Sequence, residues 1–224
     1  MKNPSPTPFK RLILRAVLHD VSPVVARVFS ISDEVEITDL HDVFLSMLGW
    51  QHDLGFIIRV YGQEFNSYQR RSRGKRLRDF QLRRQEKFLY ICNTLDLWEW
   101  EIRVLDIQGG NPDERDPECL EGRGAAPPEH CGGPVGYRLM LKRQAAGPQL
   151  SDPTTIAASM KLLSQVYSEE TDIDWQFFED VVTTGWKSVE ERLERTGPLT
   201  PTRFSRKEAN ERLASLMQQR RWWR

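Results

Sequence analysis

Apolar positions fall into short runs in the first half of the chain and into helical spacings in the second. Residues 11–18 (RLILRAVL) form an apolar run that ends in the turn signals of DVSP, and Val24–Ile31 (VVARVFSI) is rich in β-branched residues. Together they predict an antiparallel hairpin, with Pro23 in the turn where its missing N–H is harmless. In TDLHDVFLSMLGW, Leu40, Val43, Phe44, Met47 and Leu48 recur at helical spacing. One amphipathic helix is predicted there, with Thr38 as N-cap and Gly49 as C-cap. His41 flanks its apolar face and is expected to be structural. Phe56–Tyr61, Phe88–Cys92 and Trp98–Ile107 predict three more strands. The last alternates strictly, with Trp98, Trp100, Ile102 and Val104 on one face and Glu99, Glu101 and Arg103 on the other. Glu99 and Glu101 therefore read as a solvated face, not a catalytic pair. Trp50, Trp98 and Trp100 are expected in the core.

Residues 136–142 (GYRLMLK) fit a short strand or the start of a helix. Helical spacings follow over Thr154–Tyr167 and Trp175–Arg195, the latter stopped by Gly197–Pro198. Ser205 with Glu208 reads as a capping box opening a last helix, with Ala209, Leu213 and Leu216 inward. The order β-β-α-β-β-β followed by helices is not the alternation of a parallel doubly wound sheet. The predicted class is α+β: a mostly antiparallel sheet of about five strands with one central helix, then a helical C-terminal region. The expected division is 1–150 and 151–224.

Charge changes this picture locally. The chain has 32 Lys and Arg against 32 Asp and Glu, so total charge favours neither nucleic acid nor membrane. Yet nine of the 18 residues in 70–87 are basic, Glu169–Asp180 holds six acids and no base, and the chain ends in QQRRWWR. The basic stretch is expected as a loop or exposed insertion. No run of 18 apolar residues predicts a membrane span, and the polar, proline-rich start MKNPSPTPFK does not look like a secretory signal. Three cysteines, an odd number, point to a reducing cytoplasm.

Residues 117–137 (PECLEGRGAAPPEHCGGPVGY) are rich in Pro and Gly and show neither helical nor strand periodicity, which predicts a long loop of the kind that carries function. They bring Cys119, His130 and Cys131 together in sequence, with Cys92 or His52 as a fourth metal ligand. The spacing departs from that of structural zinc sites, so no metal is expected. Cys131 beside Gly132 and Gly133 could form a nucleophile with an anion nest, against the simpler reading that the glycines supply left-handed turns. Walker, G-x-G-x-x-G, H-E-x-x-H and G-x-S-x-G motifs are absent. No catalytic residue and no cofactor are assigned.

Five segments, in order, carry a resemblance: LILRAVLHDVSPVVARVFSI, ITDLHDVFLSMLGW, FLYICNTLDLWEWEI, the loop PECLEGRGAAPPEHCGGPVGY, and RFSRKEANERLASL. With TDLH…GW and APPEHCGGPxGY as the specific motifs, the chain resembles the Ri-plasmid open-reading-frame-three family, also called the insertion-element passenger family. The likeness covers most of residues 11–141 and the final helix. It implies an α+β fold and a link to plasmids and mobile elements, but no established activity. Members commonly read Y-D-F-G-D-x-W-x-H-x-I, where this chain places Asn93, Leu95 and Trp100 at the Asp, Gly and His of the pattern. They also read C-P-P-E-D-C-G-G, where this chain has Ala126 and His130 at the first Cys and the Asp. Any site built on those residues is altered or lost here.

The functional expectation is therefore a non-enzymatic accessory protein that binds a protein partner. The alternative is a nucleic-acid-binding protein using the basic stretch. Candidate contact residues are Arg70, Arg71, Arg73, Lys75, Arg76, Arg78, Arg83 and Arg84, with Trp222 and Trp223 at the C-terminus.

Overall fold

A computed structural model describes residues 9–51, 55–92, 96–110, 117–129, 131–146 and 197–219, with isolated positions between 176 and 195. Seven strands are bounded among these residues: β1 (Lys10–Leu18), β2 (Ala26–Ser32), β3 (Phe56–Val60), β4 (Gln63–Asn66), β5 (Lys87–Cys92), β6 (Trp98–Gly109) and β7 (Glu118–Arg123). They form one sheet in the order β4-β3-β5-β6-β1-β2-β7, every pairing antiparallel. Helices α1 (Ile37–Leu48), α2 (Gly133–Ala146) and α3 (Arg206–Gln219) complete the bounded elements. The α+β class holds, and the sheet has two strands more than the hydrophobic pattern predicts. β4 (QEFN) is four residues long and mostly polar; β7 (ECLEGR) lies inside the stretch read as loop. Both are edge strands, and edge strands keep charge and few apolar residues because unpaired backbone invites association.

The chain divides into two compact units, Met1–Pro134 with Pro201–Arg224, and Val135–Thr200. In the first unit the alternation of β1 and β6 puts Leu12, Leu14, Ala16 and Leu18 beside Trp98, Trp100, Ile102 and Val104, all buried. Helix α1 supplies Leu40, Val43, Phe44 and Met47 to the same core. Phe44 packs against Phe29, Tyr90 and Trp100, with ring centroids 5.7, 4.7 and 5.1 Å away. The three tryptophans expected inside are there: Trp50 is 7% exposed, Trp98 and Trp100 0%.

The start of α1 differs from expectation for a physical reason. Thr38 lies within the helix, and Glu36 occupies the N-cap position without a side-chain cap. The N–H of Ile37 is instead satisfied by the carbonyl of Lys75 at 2.9 Å, and Glu36 forms a β-bridge with Arg76. A distant segment does what a local cap does elsewhere. At the other end Gly49 takes the left-handed conformation, its N–H reaching the carbonyls of Leu45 and Ser46. Arg212 of α3 donates to the Ser46 and Met47 carbonyls at 2.9 and 3.0 Å, placing a cation where the helix dipole favours one. Ser205 caps helix α3 as predicted, its hydroxyl accepting the Glu208 N–H at 3.2 Å, but the Glu208 carboxylate meets Arg203 at 3.4 Å instead of closing a capping box; Ala209 and Leu213 are buried and Leu216 is half-buried.

In the second unit, 136–142 belongs to helix α2, and Gln144 exchanges two hydrogen bonds with the backbone of Leu199, at 2.8 and 2.6 Å. The described positions from Gln176 to Arg195 are helical, as the spacing predicts. The predicted helix over 154–167 lies outside the described residues. No helix among the described residues is long and apolar enough to cross a membrane.

Candidate functional site

The basic stretch is built into the fold. It enters from β4 through a 3-10 turn at Arg70–Ser72, forms a second at Leu77–Phe80, and leaves into β5. Backbone bonds from Leu77 to Val35 (3.0 Å) and from Arg78 to Asp33 (2.8 Å) tie it to the connection between β2 and α1. Leu77, Phe80 and Leu82 are buried anchors, and Phe80 meets Phe65 of β4 edge to face at 5.2 Å. The apolar residues spaced among the arginines thus hold the segment down while its charges point out.

Four of the nine basic residues have carboxylate partners. Glu34 receives Arg76 at 2.6 Å and also Arg78. Arg84 pairs with Asp106, and Lys87 with Glu101 at 2.7 Å. Lys87 is the first cause of a Glu101 carboxyl held below its usual range; Asp106 is likewise lowered, first by its bond from Gln108. Tyr61 bonds Glu86, which pushes the phenol up and the carboxyl down. Lys75 lies 5.3 Å over the Phe80 ring. Arg70, Arg73 and Arg83 are exposed, and Tyr68, just before the stretch, is 78% exposed. The structure describes the backbone of Arg71 but not its side chain. Trp222 and Trp223 lie outside the described residues.

The cysteine stretch is shorter and more ordered than its composition suggests. Its first part is β7 and its last part is the start of α2, so the connecting loop is 124–132. Gly132 and Gly133 have φ of 84° and 66°, the left-handed turns expected of them. A Cβ at Gly133 would also collide with the carbonyl of Asp96. The loop is tied down at Pro127, whose carbonyl accepts the Trp50 indole N–H at 2.9 Å, and at Glu129, which accepts the Gln51 N–H at 3.0 Å.

Cys92, Cys119 and Cys131 form no disulfide and are buried. Cys92 is on β5 and Cys119 on β7, four strand positions apart in the sheet order, about 19 Å at the usual ~4.8 Å spacing. These two cannot be ligands of one ion. Burial pushes the Cys92 thiol up to about 12. Cys119 is also raised by burial, opposed by nearby Arg27. Its backbone is clamped by Asn210 of α3, which accepts from Cys119 N–H at 2.8 Å and donates to its carbonyl at 3.0 Å. Cys131 is buried, its sulfur 3.9 Å from the Gly133 carbonyl. Neither Cys92 nor Cys119 is a poised nucleophile, since reactive thiols have depressed pKa values. Among the described residues no group of three or more His, Cys, Asp or Glu could hold a metal ion. His52 and His130 lie outside them.

His41 is structural, as expected, but its partner and the role of Arg27 are not visible in the sequence. His41 is buried and hydrogen-bonded through Nδ1 to the Tyr90 hydroxyl at 2.6 Å, giving a polar link inside the aromatic core. Arg27 is also buried. It donates to the carbonyls of Ala26, Arg123 and Gly124 at 2.7, 3.0 and 3.0 Å and lies 4.3 Å over the Phe204 ring. Burial lowers its pKa to about 10. It fastens β2, the end of β7 and the approach to α3. Only the alternation of β2 hints at the position, and nothing local hints at the partners.

Fold and surface together define an α+β protein with a closed aromatic core and a pinned, ion-paired basic segment. The chain belongs to the family of plasmid pRiA4b ORF-3-like proteins, whose sequence profile matches residues 10–174. The fold is similar to that of a solved protein from Methanosarcina mazei Go1, described as MM3350, a protein of unknown function. The TM-score is 0.60 at 18% identity, over 90% of this chain and 97% of that one. No curated protein matches the chain. Trp100, where the resemblance implies a His, is fully buried against Phe44, so apolar packing occupies that place.

Proposed function

We propose that this chain is a non-enzymatic accessory protein of its plasmid-associated family, binding a protein partner through the basic segment 70–87. One observation carries the reading: Arg76, Arg78, Arg84 and Lys87 already have carboxylate partners within the fold. A nucleic-acid strand draws its affinity from cations that replace condensed counterions. Cations already paired to Glu34, Asp106 and Glu101 supply less of that energy and more of the mixed, patterned charge that sets register at protein interfaces. Salt-dependent binding tests this. With labelled single- and double-stranded DNA and RNA, dissociation constants above about 10 μM at physiological salt are expected, in the non-specific range. Tight binding with a steep salt slope, lost when Arg70, Arg71, Arg73, Lys75 and Arg76 become Ser, overturns the reading.

The second reading, nucleic-acid binding, rests on a different part of the same segment. Arg70 and Arg73 are exposed beside exposed Tyr68, which joins two cations to an aromatic face on which a base could stack. The same titration separates the two.

A further inference from the structure

Beneath the second half of the basic segment lies a cleft of about 630 Å³ between that segment and the ends of β1 and β6. Leu12, Leu77 and Leu82, all buried, contribute apolar lining together with Ile107. Lys10, Arg78, Arg83 and Arg84 also line it. Asp33 is the carboxylate among the lining residues, and its Oδ1 is taken by the backbone N–H of Lys10 at 2.8 Å. Arg78 and Arg84 are paired with Glu34 and Asp106. Lys10 and Arg83 are exposed and have no carboxylate within ion-pair distance among the described residues; Arg83 meets Glu86 through its backbone N–H, at 2.8 Å.

We propose that this cleft receives an acidic peptide segment of the partner, one apolar side chain resting on the leucines and flanking carboxylates meeting Lys10 and Arg83. The proposal rests on the protein-binding reading and names the partner's chemistry. Two properties select this occupant. The volume is within the range of ligand clefts, about 300–1,000 Å³, and the apolar lining gives a side chain a place to leave water. Among the described residues the lining contains no aromatic ring on which a nucleobase could stack, and a bare phosphate would leave the leucines unused. Two cations that form no ion pair among the described residues, beside an apolar surface, match a segment that carries both kinds of group.

The test is fluorescence anisotropy of the full chain with a labelled, capped Glu-Glu-Leu-Leu-Glu-Glu peptide. Saturable binding with a dissociation constant below about 1 mM is expected, of the order reached by weak peptide contacts. Lys10→Glu with Arg83→Glu should weaken it by about tenfold or more, and Lys10→Ala with Arg83→Ala by less. Both residues are exposed, and an unchanged circular dichroism spectrum and melting curve would verify that the variants are folded. A peptide with Ser for both leucines should also bind more weakly. Binding that ignores the charge reversal, or that is equal for the Ser peptide, or that is absent, overturns the cleft. If the five-residue Ser change at 70–76 removes binding while the reversal at Lys10 and Arg83 does not, the protein-binding reading stands and the cleft falls. If single-stranded DNA binds tightly and displaces the peptide in a salt-sensitive way, both fall.

Discussion

The aromatic centre under α1 and the basic segment beside it are both rich in polar groups, but they use them in opposite ways. In the centre, His41, Tyr90, Cys92, Trp98 and Trp100 are all buried: His41 and Tyr90 share a hydrogen bond, the Cys92 thiol faces the Trp98 carbonyl, and the two indoles serve packing. In the segment, Arg76, Arg78 and Arg84 are exposed and paired with carboxylates that are partly wet. A polar group costs most where water cannot reach it, so the first region has little tolerance for change and the second has much. Stability is therefore concentrated in the centre. The segment is freer to vary with a partner, although its backbone is fixed because Lys75 caps α1.

The sharpest way to break this contrast is at Trp98. Truncation to Ala removes an indole that is fully buried and 5.8 Å from the Trp50 ring. It should cost about 3–5 kcal/mol, read from urea denaturation midpoints. A loss under about 1 kcal/mol would mean that β6 is out of register, because a one-residue slip exchanges its two faces.

Next in size is Tyr90→Phe. It keeps the ring that packs on Phe44 and deletes the hydroxyl bonded to His41. A buried imidazole nitrogen losing this bond should cost about 1–3 kcal/mol. A neutral result would show that water reaches His41, and the centre would be less closed than its burial indicates.

These two regions were unequally legible in the sequence. Helix α1 and the strands β1, β2, β3, β5 and β6 follow from apolar spacing, because each lays an apolar face on the core. Strand β4 is too short and polar to show such a face, and β7 has Cys119 as its one buried residue, with Leu120 half-buried among Glu, Gly and Arg. Both form because a neighbouring strand offers a ladder, a non-local cause. The same holds at the N-terminus of α1, where Thr38 is the plausible local cap and Lys75 the real one. In the basic segment the sequence displayed the cations but not their partners. Glu34 is 42 and 44 residues from Arg76 and Arg78, and only the fold places them together. Grouping Cys119 with Cys92 failed for the converse reason: the sheet order puts three strands between theirs.

A third test uses the thiol of the centre. The Cys92 pKa is raised from about 9 to about 12 by burial, so the neutral form is favoured by folding. This contribution to stability is complete below the unfolded pKa and is lost as the pH rises from about 9 toward 12. At pH 8, iodoacetamide should label Cys92 at least about a hundredfold more slowly in native protein than in urea, because reaction needs an opening event. Labelling at the rate of the unfolded chain would place Cys92 in contact with solvent.

The smallest expected effect is at Glu34, and it sharpens the contrast from the other side. Its carboxylate joins Arg76 and Arg78, yet all three side chains remain partly exposed, at 27, 46 and 39%. Water and salt screen such bridges, and holding long side chains in place costs entropy. Glu34→Gln should therefore cost under about 1 kcal/mol, with the difference from wild type shrinking further in about 1 M salt. The same change releases two arginines, so any affinity for nucleic acid should rise at low salt, where freed cations can displace counterions. If Glu34→Gln instead destabilises the fold by more than about 2 kcal/mol, the bridge is holding the cap of α1 in place, and the segment belongs energetically to the core.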